Sequence, residues 1–425
     1  MSWAELAPEL LILAGVIGLI ALRQPIVVVL AAAAMAVYVV WQDGNPIYVA
    51  YDIWRGVNQD VLIAIPLFML AGAIMSKGTI AHRLVGLMQA LTRPIPGGLA
   101  VATVLACIGF GSVSGSSAAT LMAIGSIMYP ALTAAGYKKG FAIGLICAAA
   151  TLGVIVPPSI LMILFGFMTE TSIPDLFLGG LLPALLLASL LSVYAMATNL
   201  KLRGGWWSGT EILTAARRAV FALMIPAAIL GGIYSGYFTA TEAAAVSVLL
   251  AIVIEVLIHR DLKIPDLGAV TVETSRLIGG LFPLLTLAVS LNVFMTWQGV
   301  PQAMAAQLES HIHSPAQFII GANVLLLLVG AFLDEGSAVL IFGPLLLPIA
   351  QAQGMDPVHF GVMMIANLQI GYLAPPVGLN LMIAAAAFKT PFLDVCRAVL
   401  PFILVLLIGV IVIAAYPPLT LTLVR

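Results

Sequence analysis

GVIVPP at residues 153–158 and GYLAPP at residues 371–376 are one break in an apolar run, written twice at a spacing of 218 residues. At that spacing Gly153 pairs with Gly371, Pro157 with Pro375 and Pro158 with Pro376. Pro130 likewise pairs with Pro348, Gly136 with Gly354 and Pro183 with Pro401. Upstream of each copy a second break interrupts an apolar run, GSVSGSSAAT at 111–120 and LDEGSAV at 333–339. Glycine lets a backbone turn, and proline lacks the N–H that would continue a helix. Two halves that each break helices twice, at matching places, predict the architecture of a secondary transporter. In such folds the breaks build ion and substrate sites near the bilayer midplane.

Composition sets the environment. Apolar residues are 62% of the 425 residues and charged residues 8%, too little charge to cover a soluble domain of this size. Apolar runs of roughly 17–25 residues, the length a spanning helix needs, recur along the chain. The first run, from about Pro8, lacks a basic leader and a cleavage site, and reads as a retained helix. Cys107, Cys147 and Cys396 sit in apolar stretches and read as packing residues. His82, His259, His311 and His313 read as loop residues without metal spacing, and His359, after an Asp-Pro helix start, as structural.

The fold class expected is an all-α polytopic membrane protein. Spans fall at about 9–22, 25–41, 57–76, 140–168, 176–199, 219–237, 241–258, 278–297, 357–387 and 398–416. Segments 97–135 and 318–353 read as re-entrant hairpins, with arms of about 15 residues or roughly 22 Å, short for a core of ~30 Å. With the N-terminus outside, 15 of the 17 Lys and Arg face the cytoplasm and only Arg55 and Arg425 face out, which is a strong orientation signal. The first hairpin then opens inward and the second outward. Residues 1–199 and 219–425 become inverted repeats joined by a cytoplasmic linker at 200–218. In each repeat a broken helix (140–168 and 357–387) follows the hairpin.

The breaks carry the chemistry. The first hairpin arm ends near Gly111 with free carbonyls, and the second starts near Ser117 with free N–H groups. Ser112, Ser114, Gly115 and Ser116 lie between. The broken span ends one half near Gly153 and starts the other at Pro157-Pro158-Ser159, proline being suited to a first turn. Carbonyls and hydroxyls suit a hard cation. The helix N-termini at Ser116, Ser117, Pro158 and Ser159, with Ser337 and Pro376 in the second half, suit a carboxylate. Asp334 and Glu335 are the acids of the second hairpin tip, and acids at membrane depth are functional by default. Against this, a Ser/Gly cluster also serves close helix packing, and a tip that reaches water would make its acids surface charges. Thr239 and Glu242 fit a capping box opening the span at 241. No Walker-type phosphate loop is present.

GSVSGSSAAT, GVIVPPS, GIYSGYFTATEAAAV and MDPVHFGVMMIANLQIGYLAPPVG, in that order and over nearly the whole chain, resemble the large membrane subunit of the tripartite ATP-independent periplasmic (TRAP) transporters. The resemblance implies sodium-driven uptake of an organic acid anion across the bacterial inner membrane, with the N-terminus periplasmic. It also implies a scaffold and an elevator-type transport domain holding both hairpins. The partners implied are a small four-helix membrane subunit and a periplasmic substrate-binding protein; no nucleic acid is expected. By the same resemblance Ser112, Ser114, Gly115 and Ser116, with Gly153, Val156 and Ser159, form the first Na+ site and its rim. Asp334, Gly336 and Ser337, with Gly371 and Ala374, form the second. Glu242 falls in a family motif, which adds a functional reading to the capping one. Where relatives follow the Asp with small hydroxyl residues, Glu335 and Gly336 stand here, so the hydroxyl ligands of the second site stay open.

Two other readings remain. A self-sufficient sodium/carboxylate symporter of related fold would need no binding protein, and the specific motif set stands against it. A channel has no need of two inverted broken repeats. A membrane enzyme would want a nucleophile, base or metal set at depth, where only Asp334 and Glu335 offer acids.

Overall fold

A computed structural model describes residues 24–41, 47–300 and 314–425, with scattered positions in 11–22 and at 303. All regular structure among them is helical. The first half runs α1 (Ile26–Trp41), α2 (Ile47–Val57), a 3-10 turn (Asp60–Ile63) leading into α3 (Ala64–Lys77), α4 (Ile80–Thr92), α5 (Gly98–Ser114), α6 (Ser117–Ala134), α7 (Lys139–Leu152), α8 (Ile160–Thr169) and α9 (Ile173–Thr198). The second runs α10 (Gly209–Tyr234), α11 (Ala240–Ile252) prolonged by a π turn (Val253–Ile258), α12 (Ile264–Trp297), α13 (Pro315–Phe332), α14 (Glu335–Ala352), α15 (Pro357–Gly371), α16 (Leu379–Ala387), α17 (Phe392–Ala415) and α18 (Pro418–Leu421). Nine of the described helices are long and apolar enough to cross a membrane. Large apolar side chains such as Leu404 and Ile411 on α17 point outward, as lipid-facing positions do. The chain is a multi-pass membrane protein.

The spacing of 218 residues carries over from sequence to structure. It superimposes Ser117–Ala134 on Glu335–Ala352, and the start of α7 at Lys139 on that of α15 at Pro357. Pro130 and Pro348 lie inside α6 and α14, and Pro183 and Pro401 inside α9 and α17. Gly136 and Gly354 both take positive φ, 90° and 78°. Each sits in the same helix-ending turn, in which Tyr137 N–H donates to Leu132 O and Met355 N–H to Ala350 O, a closure that favours glycine. Both Pro-Pro peptide bonds are cis.

The halves also interlock. The second hairpin arm of one half packs on the far piece of the other half's broken helix, α6 on α16 and α14 on α8. Gly125 on α6 seats the Phe388 ring, and Gly343 on α14, 218 residues later, seats the Phe165 ring. An added Cβ would stand 2.9 Å and 3.3 Å from those rings.

Several expectations need correction. The hairpin arms are 17 and 18 residues long, not fifteen, because each apolar run continues to the turn. The linker expected at 200–218 ends at Ser208, where the Ser208 hydroxyl accepts from Glu211 N–H and starts α10. The span expected at 278–297 is the end of a 34-residue helix that begins at Ile264. Helices α2 and α4 were not expected; both are amphipathic, so neither reads as an apolar run. His82 lies within α4, not in a loop. Most of the run at 9–22, and His311 and His313, lie outside the described residues.

His259 was expected in a loop without metal spacing, yet it stands beside Glu255 and Asp261, three groups whose ligand atoms lie within 4.8 Å of one another. Glu255 is fully buried and accepts from Thr79 N–H at 3.3 Å and Ile80 N–H at 3.0 Å, so it caps α4 from α11's π turn. His259 Nδ1 lies 3.5 Å from its carboxylate, and Arg83 lies 3.7 Å from Asp261. A carboxylate committed to backbone donors, with a guanidinium nearby, suits a cap and ion pair rather than a metal. Cys107, Cys147 and Cys396 are buried free thiols.

Candidate functional site

The first hairpin turns on Gly115, whose φ of 59° closes α5, a conformation that L side chains seldom take. Ser116 opens α6, and its hydroxyl accepts from Ala119 N–H at 3.3 Å. Ser112 and Ser114 are buried; the Ser112 hydroxyl donates to Gly109 O at 2.9 Å, and Ser114 Oγ lies 3.0 Å from Thr120 Oγ1. A serine oxygen that donates keeps lone pairs for a cation.

This tip is held against the broken helix by glycine-on-glycine contact. A Cβ on Gly111 would stand 2.2 Å from Gly153 Cα, and one on Gly153 would stand 2.5 Å from Gly111 Cα. Gly115 lies against Ile160 at the start of α8, and Gly72 on α3 against the Ser114 backbone. The structure therefore brings the tip that holds Ser112, Ser114, Gly115 and Ser116 against Gly153 and against Ile160, next to Ser159, the two ends of the connection that also holds Val156 and Pro158. Here the prolines are placed differently from expectation. Pro157 and Pro158 precede the helix, and buried Ser159 is the cap, accepting from Met162 N–H at 3.3 Å. A serine side chain satisfies a first-turn donor that proline cannot.

The second tip has the same plan with a carboxylate in the turn. Asp334 caps α14, its Oδ2 accepting from Ser337 N–H at 2.9 Å and its Oδ1 from the Ser337 hydroxyl at 2.5 Å. Gly330 packs on Gly371 as Gly111 does on Gly153, with a Cβ 3.0 Å from the facing Cα. Glu335 accepts a hydrogen bond from Gln369 on α15. Asp334, Glu335, Gly336 and Ser337 are thus joined to the break that holds Gly371, Ala374 and Pro376. Gly336 faces Leu164 of α8 and Leu281 of α12.

The first tip is linked to the opposite half as well, because buried Asn380 on α16 donates to Ser117 Oγ at 3.1 Å. Sequence reasoning missed Asn380, Gln369 and Asn367. Asn367 Nδ2 donates to Asn323 Oδ1 at 2.6 Å, while Asn367 Oδ1 and Gln369 Oε1 are buried without a donor. The signal was present, since IANLQIG places two amides in an otherwise apolar run, where a buried amide needs a partner. Glu242 is not drawn to either tip by any hydrogen bond among the described residues. Its Oε2 accepts from Thr239 N–H at 2.8 Å, completing the capping box with Thr239 Oγ1. His359 Nδ1 lies 2.9 Å from Thr420 Oγ1, a contact that ties α15 to α18.

Chemically, each break gathers oxygens around a place where two helix ends meet. The orphaned amide oxygen of Gln369, whose Nε2 donates to Glu335, with the acids at 334 and 335, matches the oxygen donors that a hard cation takes. The residues present therefore fit Na+.

The family profile described as the DctM component of the tripartite ATP-independent periplasmic transporter matches residues 13–419. The C4-dicarboxylate TRAP transporter large permease protein DctM of Pseudomonas aeruginosa is 39% identical over 365 residues, covering 85% of this chain and 86% of that one. The ectoine TRAP transporter large permease protein TeaC of Halomonas elongata is 33% identical over 419 residues, 97% of each. Among solved structures, the YdaH transporter of Alcanivorax borkumensis, whose crystal structure was described as revealing an unusual topology, matches with a TM-score of 0.59. The identity there is 15% over 84% of both chains, a likeness of fold. With a family match over nearly its whole length and relatives named as large permeases of such transporters, the chain belongs to the tripartite ATP-independent periplasmic transporter family as its large membrane component, a transporter and not an enzyme.

Proposed function

We propose that this permease couples an inward sodium gradient to uptake of a small organic acid anion. The observation that carries the reading is the pair of hairpin tips, each locked glycine-on-glycine to a broken helix and each lined with oxygens. Na+ is bound as cargo at Ser112, Ser114, Gly115 and Ser116 with Gly153 and Val156, and at Asp334, Gly336 and Ser337 with Gly371 and Ala374. Gln369 completes the second set. The carboxylate lies toward the helix starts at Ser116, Ser117, Pro158, Ser159, Ser337 and Pro376, where helix dipoles favour an anion. Relatives named for a C4-dicarboxylate and for ectoine support a small polar substrate.

The permease lies in the bacterial inner membrane with its N-terminus periplasmic, and the two halves are inverted in topology. Supporting this, Arg83, Arg93, Lys201, Arg203 and Arg218, all expected on the cytoplasmic side, line one cavity. Arg425, expected outside, pairs with Asp356 at the base of the second hairpin. A periplasmic binding protein delivers the substrate, and a small four-helix membrane subunit widens the static surface. Both tips move as one body past α1, α10 and α11, in elevator fashion. The interlock of α6 with α16 and of α14 with α8 supports a single moving body.

The test is uptake into proteoliposomes holding the full transporter, with sodium replaced by choline at fixed pH. Uptake should fall to background. Undiminished uptake on a proton gradient alone removes the sodium assignment.

A further inference from the structure

A cavity of about 1100 Å³ opens between α4, the base of the first hairpin, the 199–208 connection and α10. It lies at the base of the first hairpin, at the opposite end from the tip, and its wall is basic. Arg83, Arg93, Lys201, Arg203 and Arg218 line it, and Glu211 is the one acid in the lining among the described residues. Arg93 is bound to Glu211 and donates to Gly204 O at 2.9 Å, so that acid is already neutralised. Arg83 faces Asp261. Lys201, Arg203 and Arg218 make no ion pair with an acid among the described residues.

The connection that carries two of these cations is fixed in place. Gly97 N–H donates to Leu202 O at 2.7 Å and Gly204 N–H to Arg93 O at 3.1 Å, so both neighbours of Arg203 are tied to the joint between α4 and α5. Trp207 Nε1 donates to Leu91 O at 2.8 Å. Beside the cations stand outward apolar groups. Trp206 is 90% exposed and Trp207 64%, with Leu200 and Leu213 also exposed. Tryptophans next to Lys and Arg mark the level of lipid headgroups, and basic pockets between membrane helices hold anionic headgroups. A soluble phosphate would use the cations and leave the tryptophans and leucines idle; a phospholipid uses both.

We infer that this cavity binds the phosphodiester headgroup of an acidic phospholipid, with Lys201, Arg203 and Arg218 on the phosphate and its acyl chains along Leu200, Trp206 and Leu213. The bound lipid would bridge α4, which leads into the first hairpin, to α10. The inference does not depend on which ion drives transport.

The experiment is native mass spectrometry of the purified full chain, titrated with phosphatidylglycerol, with zwitterionic phosphatidylcholine, or with soluble glycerol phosphate. The variant Lys201→Gln/Arg203→Gln/Arg218→Gln is compared with Lys138→Gln/Lys139→Gln/Arg217→Gln, which removes equal charge from residues outside the cavity lining. Phosphatidylglycerol should be retained over phosphatidylcholine. The cavity variant should weaken its retention roughly 100-fold, about what three surface cations contribute, and the control variant should not. Equal retention of the two lipids, or equal loss in the two variants, overturns the inference. Tight binding of glycerol phosphate without preference for phosphatidylglycerol overturns the lipid assignment in favour of a soluble phosphate.

Discussion

Replacing Gly111 by Ala should break the first site without touching an oxygen. The new Cβ would stand 2.2 Å from the Gly153 Cα, against the 3.4 Å at which ordinary contact begins. The obstacle is backbone, so no side chain can rotate away, and α5 and α7 must part by about 1.2 Å at their crossing. Overpacking of a tight core costs roughly 1–3 kcal/mol, and a backbone-on-backbone clash belongs at the upper end. Three kcal/mol is about a 100-fold fall in occupancy of the undistorted tip. Ser112 and Ser114 lie one and three residues beyond Gly111, so apparent sodium affinity in proteoliposome uptake should fall by a similar factor, with a lower apparent melting temperature in detergent. A graded series sharpens the test. Gly153→Ala, at 2.5 Å, should be nearly as severe and Gly330→Ala, at 3.0 Å, milder, while Gly321→Ala has nothing within 4 Å and should be silent. If Gly111→Ala melts and transports like Gly321→Ala, the crossing does not position the tip and the reasoning fails.

Asp334 combines a helix cap with a charge, and two variants separate them. Asp334→Asn should keep the cap and its melting temperature while losing sodium dependence, whereas Asp334→Ala should lose both, with about 1 kcal/mol from the cap; equal melting of the two variants would contradict the capping role. Ser112→Ala should leave the fold intact and weaken apparent sodium affinity roughly 5- to 150-fold, the equivalent of ~1–3 kcal/mol, read from uptake against sodium concentration. Glu255→Ala strands the first donors of α4 and leaves His259 without its carboxylate, so it should destabilise the chain on the order of 3 kcal/mol, measured as a shift in melting that Glu273→Ala, an exposed pair with Lys77, does not reproduce.

The elements most visible in the sequence are those whose physics is local. GSVSGSSAAT and LDEGSAV mark turns because glycine, serine and aspartate end and start helices by themselves, and both turns fall where the letters place them. The 218-residue spacing survives folding almost residue for residue in α6 and α14. Other features needed the third dimension. Helix α4 is amphipathic and capped by Glu255 from 175 residues away, so no local pattern announces its start. That Gly111 meets Gly153, or that Asn380 reaches Ser117, depends on how helices cross, which periodicity does not encode. Pro157-Pro158 misled for a related reason. Proline suits a first turn in general, but Ser159 follows it and makes the better cap. Glu242 was legible as a capping residue from TATE alone, and its hydrogen bonds are those of a capping box.

If sodium and substrate cross together, carried at the two tips, their fluxes must be coupled. The most direct measurement is the flux of radioactive 22Na+ into proteoliposomes holding the permease with its membrane partner, with and without substrate-loaded binding protein outside. Sodium should enter only when loaded binding protein is supplied, in fixed proportion to substrate, and Gly111→Ala should lower both fluxes together. Substrate accumulating with no accompanying sodium, or sodium entering at the same rate without substrate, would contradict it.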